Sequence, residues 1–187
     1  MPLKMACRMS LVLAAAACLA VQAASDAQAP RYTASGELTL PGDYREWVFL
    51  SSGLGMTYQP MPGHDSAFTN VFASPPAYRG FVATGKWPDK TVLLLEVRAS
   101  ASKGSINQGG SYQTDLLGIE AEVKDSAKFP GNGWAFFAFG KSSAGKPLPR
   151  SADCYSCHKE HGAVDNTFVQ FYPALLEIAK QKGTLKP

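Results

Sequence analysis

Alternating and continuous apolar runs predict short strands along most of the chain. The runs occur at 37–40, 47–50, 68–72, 91–97, 113–123 and 134–139. In the last of them, WAFFAF, apolar residues stand at every position, which is typical of a strand buried on both faces. We therefore expect 134–139 to be a central strand of a sheet, with about five strands in total and a bulge at Gly118.

Two helical patterns complete the expected fold. Ser74, Pro75 and Gly85 mark the N-cap, the first turn and the end of a short helix after the strand 68–72. Near the C-terminus apolar residues recur at helical spacing, with Pro173 kinking or restarting that helix. The stretches 51–67, 101–111 and 141–153 are rich in glycine, proline or serine and predict loops. The sum predicts a single α+β domain built on an antiparallel β-sheet.

The first 23 residues have the pattern of a secretory signal peptide. Lys4 and Arg8 precede an apolar run at 11–21, and Val21-Gln22-Ala23 fits a cleavage site, with Ala29 as a second-ranked alternative. The run is shorter than the about 20 residues that a membrane span needs. We therefore expect residues 24–187 to form the mature chain in the periplasm, without a membrane span.

Charge excludes one class of partner. The full chain carries a formal charge of +3, and removal of the signal peptide takes away two of its positive charges. No basic run with interleaved aromatic residues occurs, so nucleic acid is not an expected partner. Removal of the signal peptide also removes Cys7 and Cys18, which leaves two cysteines in the mature chain.

Those two cysteines belong to the most informative motif, Cys154-Tyr155-Ser156-Cys157-His158. The pattern C-x-x-C-H is typical of covalent attachment of one haem c, with His158 as the axial ligand of the iron. A thiol redox pair would need a βαβ context. A structural zinc site would need four ligands, and His161 is the only further ligand nearby in sequence.

The sixth position of the iron has no obvious ligand. No methionine follows His158, and Met56 and Met61 lie in a predicted loop. His64 and His161 are the remaining candidates, but a lone histidine is more often a surface residue. We therefore expect an open iron site, which makes a plain electron-transfer cytochrome the least favoured of the haem functions.

Several short segments of characteristic sequence are spread over nearly the whole mature chain. They are YREWVF (44–49), FTNVF (68–72), GKWPD (85–89), GIE (118–120) with VKDS (123–126), CYSCHK (154–159) and DNTFVQFYP (165–173). In order and spacing these segments resemble the cytochrome P460 family. The resemblance implies a sheet-rich homodimer with one c-type haem whose distal side is open. It also implies that the fold differs from that of the helical cytochromes c′.

One position divides that family. Its hydroxylamine-oxidising members carry a lysine bonded to the haem ring, just before a strand glutamate, and here Leu95 precedes Glu96. Lys86, Lys90 and Lys103 are the nearby lysines that could take that role instead. The leucine makes the chain resemble the cytochrome c′-beta branch, which binds nitric oxide and carbon monoxide at a five-coordinate haem. The alternative is an enzyme that oxidises hydroxylamine, so enzymatic activity is left open, with gas binding favoured.

The candidate distal residues come from three strand patterns. An apolar wall of Phe68, Phe72, Leu93 and Leu95 would favour small neutral ligands. Alternation puts Glu120 and Glu122 on one side of their strand, facing either solvent or haem, where a carboxylate could relay protons. A soluble redox partner is a further expected partner.

Overall fold

The described part of the chain is organised around one antiparallel sheet. The computed structural model describes residues 28–57 and 66–186. In these ranges seven strands form: β1 (Leu38–Thr39), β2 (Val48–Leu54), β3 (Ala67–Ala73), β4 (Val92–Ala101), β5 (Tyr112–Lys124), β6 (Trp134–Gly140) and β7 (Ala144–Pro147). Their order across the sheet is β1-β7-β6-β5-β4-β3-β2. The predicted α+β fold with an antiparallel sheet is confirmed, and β6 is an interior strand as expected.

The same ranges contain three α-helices, α1 (Pro75–Thr84), α2 (Asp153–His161) and α3 (Pro173–Lys182), and 3-10 turns at Tyr44–Glu46 and Val169–Phe171. Helix α1 has the predicted bounds. Gly85 follows it with a φ of 74°, a left-handed conformation that glycine adopts without a Cβ clash. Ser74 stands at the N-cap, but its side chain makes no capping hydrogen bond. Pro173 begins α3 directly after a 3-10 turn, so this proline restarts the helix.

Two strands differ from the sequence-based expectation. β2 continues to Leu54 because it pairs with β3, whereas a loop was expected from residue 51. β7 lies inside the expected connector 141–153 and pairs with β1 and β6. Pairing with a neighbour overrides local composition at both places, so seven strands form where about five were expected. The expected bulge lies beside Gly118, where Val97 pairs with Gly118 and Arg98 with Leu116, leaving Leu117 extra.

Some predictions concern residues outside the described ranges. The predicted signal peptide, residues 1–23, lies there, and so do Met61 and His64, two of the residues considered as sixth ligands. Within residues 28–57 and 66–186, no helix is long and apolar enough to cross a membrane.

The two faces of the sheet bury different side chains. One face packs under α1 and α3, with Leu93 and Trp134 against Phe81 and Leu175. The opposite face buries Val92, Leu94, Ile119, Ala121 and Val123 together with Tyr44 and Trp47. The first face also carries Leu95, Glu120, Glu122 and Phe136, since Leu93 pairs with Glu122, Glu122 with Phe136, and Leu95 with Glu120. We call it the motif face, because the cysteine–histidine motif packs against it.

Candidate haem-binding site

The cysteine–histidine motif lies on helix α2. Cys154, Cys157 and His158 occupy positions i, i+3 and i+4, so their side chains lie on one side of the helix. Both thiols are free and partly buried. Tyr155 packs edge-on against Phe136 of the motif face, with ring centroids 4.8 Å apart. This contact fixes α2 on the sheet with two thiols and one imidazole directed to a common side.

The imidazole of His158 is enclosed by aromatic rings. Its centroid lies 4.6 Å from that of Phe136 on β6 and 4.4 Å from that of Phe168, which precedes a 3-10 turn. Its Nδ1 lies 2.8 Å from the backbone oxygen of Asn166. A carbonyl oxygen only accepts, so Nδ1 carries the proton in this hydrogen bond and Nε2 keeps its lone pair. This is the tautomer that a metal-binding histidine needs.

A tight turn presents the Asn166 oxygen to the histidine. The Thr167 amide donates to the Val164 carbonyl at 2.8 Å, and both central residues, Asp165 and Asn166, have positive φ of 48° and 66°. Two consecutive left-handed residues are typical of a type I′ turn, and Asp and Asn tolerate this conformation better than most residues. The sequence Asp-Asn therefore suits the geometry that directs the carbonyl to Nδ1.

A buried carboxylate lies on the other side of Nδ1. Glu122 Oε1 is 3.3 Å from His158 Nδ1 and makes no hydrogen bond, since Nδ1 donates to Asn166. Burial raises the pKa of Glu122, and the neighbouring histidine only partly offsets this effect. Glu120 has an exposed side chain, although desolvation by the surrounding protein also raises its pKa. The two glutamates thus share a face, as strand alternation predicts, and that face is the one packed against α2.

Leu93 and Leu95 also lie on the motif face. Leu93 is buried among the helices, whereas Leu95 is only half-buried. Leu95 lies in a row across four strands, with Val71 and Glu120 as its direct neighbours and Ala138 beyond Glu120. Val71 and Ala138 are half-buried as well. Beside the motif helix the sheet therefore presents a partly exposed surface of three apolar side chains, interrupted by the carboxylate of Glu120.

Phe68 and Phe72 are not brought together with these leucines. Phe72 pairs with Leu94, and Phe68 pairs with Arg98, so both point to the opposite face of the sheet. There Phe72 packs edge-on against Tyr44, with centroids 6.0 Å apart. The predicted distal wall of four residues is therefore split, because alternate positions of paired strands face opposite sides.

The other described sequence candidates have exposed side chains and no described contact with His158. Lys86, Lys90 and Lys103 are exposed, and Lys90 pairs with Asp125. His161 is exposed and lies 3.9 Å from Glu160. Met56 is also exposed.

Five residues of the site were missed by the sequence reasoning. They are Lys124, Phe136, Asp165, Asn166 and Phe168. Phe136, Asn166 and Phe168 contact His158, and Lys124 pairs with Asp165 of the turn that carries Asn166. Lys124 could have been found, since strand alternation puts it on the same face as Glu120 and Glu122. The Asp-Asn pair carries a turn signal, but its contact with the histidine depends on the tertiary fold.

The comparison with known families identifies the chain. The family model described as Cytochrome P460 matches residues 41–169, a range that contains β2 to β7, the motif helix and the turn beneath His158. The chain belongs to the cytochrome P460 family. Among curated proteins, none matches the chain significantly.

Membership of the cytochrome P460 family makes haem c the cofactor. The described residues fit this group in three ways. Two free thiols stand one helical turn apart, His158 has its Nδ1 occupied and its Nε2 lone pair free, and the sheet beside them is apolar and partly exposed. Cys154, Cys157 and His158 are therefore the residues suited to hold the haem.

Proposed function

We propose that this cytochrome P460 family member is an exported mono-haem cytochrome of the c′-beta kind, which binds nitric oxide and carbon monoxide. Cys154 and Cys157 form the thioether bonds, and His158 Nε2 is the one axial ligand from the protein. When bound, haem c supplies an iron that takes a small ligand at its free coordination position. The role of the protein is to scavenge, carry or sense such gases.

The observation that carries this proposal is the environment of Leu95. Its half-buried side chain lies on the motif face, in contact range of Val71 on one side, with Glu120 and then Ala138 on the other. A leucine cannot bond to the haem ring, and aliphatic side chains donate no hydrogen bond to a polar or anionic ligand. An apolar wall of this kind favours small neutral molecules over charged ones.

The side chains around His158 support ligation by a neutral imidazole. The Asn166 carbonyl holds the proton on Nδ1, which leaves Nε2 as the donor atom. Phe136 and Phe168 flank the ring and leave the His158 side chain 20% exposed. Their packing also limits rotation of the ring, so the donor atom keeps one direction.

The test is the optical spectrum of the reduced mature protein, together with the mass of the denatured protein. We expect a high-spin c-type spectrum that changes rapidly on addition of carbon monoxide, and a mass equal to polypeptide plus unmodified haem. A strongly red-shifted Soret band with a mass lower by hydrogen lost to an extra bond would contradict the proposal, since it would show a cross-linked lysine.

A variant sharpens this test. If Leu95 stands at the family's cross-linking position, Leu95→Lys should give a fraction of haem–protein cross-link after oxidative maturation. Leu117→Lys is the matched control, because Leu117 lies on β5 with an exposed side chain. An unchanged mass and spectrum in Leu95→Lys would remove Leu95 from that position.

Oxidation of hydroxylamine is the second candidate function, and the carboxylate of Glu120 beside Leu95 favours it. A carboxylate next to the reacting ligand could accept its protons. Turnover of hydroxylamine with an added electron acceptor would support this alternative if Glu120→Gln lowered the rate. Absence of turnover in the wild-type protein would exclude it.

The proposal extends to location and assembly. The signal pattern of residues 1–23 supports export to the periplasm, and the family resemblance supports a homodimer and a soluble redox partner. Intact mass from a periplasmic fraction tests cleavage after Ala23, and light scattering of the purified protein tests the dimer. A retained N-terminus or a monomeric mass would contradict the respective part.

A further inference from the structure

An ion pair ties the turn beneath His158 to strand β5. Asp165 Oδ2 lies 3.2 Å from Lys124 Nζ, and the same oxygen accepts a hydrogen bond from the Trp87 backbone amide at 3.2 Å. Lys124 Nζ also donates to the Trp87 carbonyl at 2.7 Å. The side chains of Lys124 and Asp165 are 18% and 28% exposed, so the pair is screened less than a pair on the open surface.

The turn is anchored from a second direction. The Trp87 indole Nε1 donates to Thr167 Oγ1 at 2.8 Å, and that hydroxyl donates to the Val164 carbonyl at 2.6 Å. Asp165 within the turn and Thr167 at its end are therefore both tied to Trp87. Of the two left-handed residues of the turn, Asp165 has a charged partner in these contacts, and that partner is Lys124.

We infer that Lys124 and Asp165 are positioning residues for the axial histidine. By holding the turn against Trp87, they keep the Asn166 carbonyl on Nδ1 of His158 and so set the donor strength of Nε2. This inference rests on the proposed assignment of His158 as the axial ligand. Strand β5 carries both Lys124, which holds the turn with Asn166, and Glu122, which lies on the other side of Nδ1. Both neighbours of Nδ1 therefore depend on the position of β5.

The contact between Asn166 and Nδ1 should change the reduction potential in a predictable direction. A hydrogen bond from Nδ1 to an acceptor makes the imidazole a more basic ligand, which stabilises ferric relative to ferrous iron. Loosening the Asn166 contact should therefore raise the reduction potential and weaken the iron–histidine bond. At Lys124 a purely through-space effect of charge would have the opposite sign. Removal of its positive charge, with the turn unchanged, would lower the reduction potential.

The experiment compares Lys124→Met and Asp165→Gly in the haem-loaded protein. Glycine suits the positive φ of residue 165, so this variant removes both tethers of the side chain without backbone strain. We expect both variants to favour reduction by at least threefold in its equilibrium constant, about 28 mV for one electron. We also expect a lower iron–histidine stretching frequency in resonance Raman spectra of the reduced protein, and wild-type values in Lys124→Arg.

Lys180→Met is the matched control, because it breaks an exposed ion pair with Glu177 on α3 and should change neither quantity. A lower potential in Lys124→Met with an unchanged frequency would overturn the inference and leave only a charge effect. If Lys124→Met does not fold, Asp165→Gly with an unmoved frequency overturns it equally. A wild-type protein without an iron–histidine band would instead overturn the assignment of His158, and with it the proposed function.

Discussion

Gly162 shows how closely the chain packs behind the motif histidine. A Cβ at this position would lie 2.6 Å from the His158 carbonyl oxygen, 2.6 Å from the Asn166 carbonyl carbon and 2.8 Å from the Thr167 nitrogen. These neighbours are backbone atoms and cannot turn aside. We expect Gly162→Ala to lower the free energy of unfolding by about 1–3 kcal/mol, as overpacking of a filled interior does, measured by denaturant unfolding.

Gly42→Ala is the control for that substitution. A Cβ at Gly42 would meet no heavy atom within 4 Å, and the residue does not adopt a positive φ. This alanine should leave stability unchanged or raise it slightly through the unfolded chain. Equal losses in both variants would contradict the steric argument at Gly162.

At the scale of single residues, the sequence predicts the chemical role of the motif residues better than it predicts which side chains surround them. C-x-x-C-H names its three residues because attachment of haem c demands that spacing, and the fold then puts them on one side of α2. The partners of His158 come from β5, β6 and the turn at 164–167, all distant in sequence or set by tertiary packing. No local pattern around residue 158 carries that information.

At the scale of elements, the alternation of β3 and β4 decides which side chains can face the haem. Leu95 lies on the motif face, whereas Phe72 pairs with Leu94 on the other face. We expect Leu95→Phe to slow carbon monoxide association roughly 3- to 10-fold, equivalent to about 0.7–1.4 kcal/mol in the barrier, because the added volume narrows access to the iron. Flash photolysis of the reduced protein measures this rate.

Phe72→Leu tests the same argument from the opposite face. It shortens a side chain that packs against Tyr44 and Phe49, so stability should fall while the association rate stays within about twofold, under 0.5 kcal/mol in the barrier. A rate that changed as much as in Leu95→Phe would mean that Phe72 does line the ligand pocket, as the sequence alone suggested.

The strand patterns also show what a sequence can and cannot predict about elements. Strands β5 and β6 were predicted with nearly the right bounds because long apolar or alternating runs fit a sheet whatever their neighbours. The start of β4 was predicted equally well, but the strand continues to Ala101, four residues beyond the expected end. β7 has the sequence AGKP and forms only because β1 and β6 offer it hydrogen bonds. Edge pairing of this kind leaves no apolar pattern to detect.

At the scale of the whole molecule, the sheet separates the cysteine–histidine motif from a buried charge cluster. The motif face carries the histidine helix, its acceptors and the apolar surface at Leu95. The opposite face buries Glu96, which is 2% exposed and receives a hydrogen bond from Tyr44 at 2.6 Å. Arg98 pairs with the same carboxylate, and Arg45 lies 3.0 Å from it. This cluster lies across the sheet from the motif, so its titration should affect folding without altering the iron site directly.

Glu96 should therefore make the protein sensitive to acid. Burial alone would raise its pKa, but hydrogen bonds from Arg98 and Tyr44 and the charges of both arginines hold the pKa below the ordinary 4.5. A carboxyl whose pKa is lower in the folded state stabilises the fold above about pH 4.5, and this stabilisation is lost as the pH falls through the folded value.

We expect Glu96→Gln to lower the unfolding free energy at pH 7 by about 1–3 kcal/mol and to flatten the decline of Tm below pH 5. Glu46→Gln, at an exposed position, should keep the wild-type profile. A Glu96→Gln profile parallel to that of the wild-type protein would show that other carboxyl groups cause the acid sensitivity.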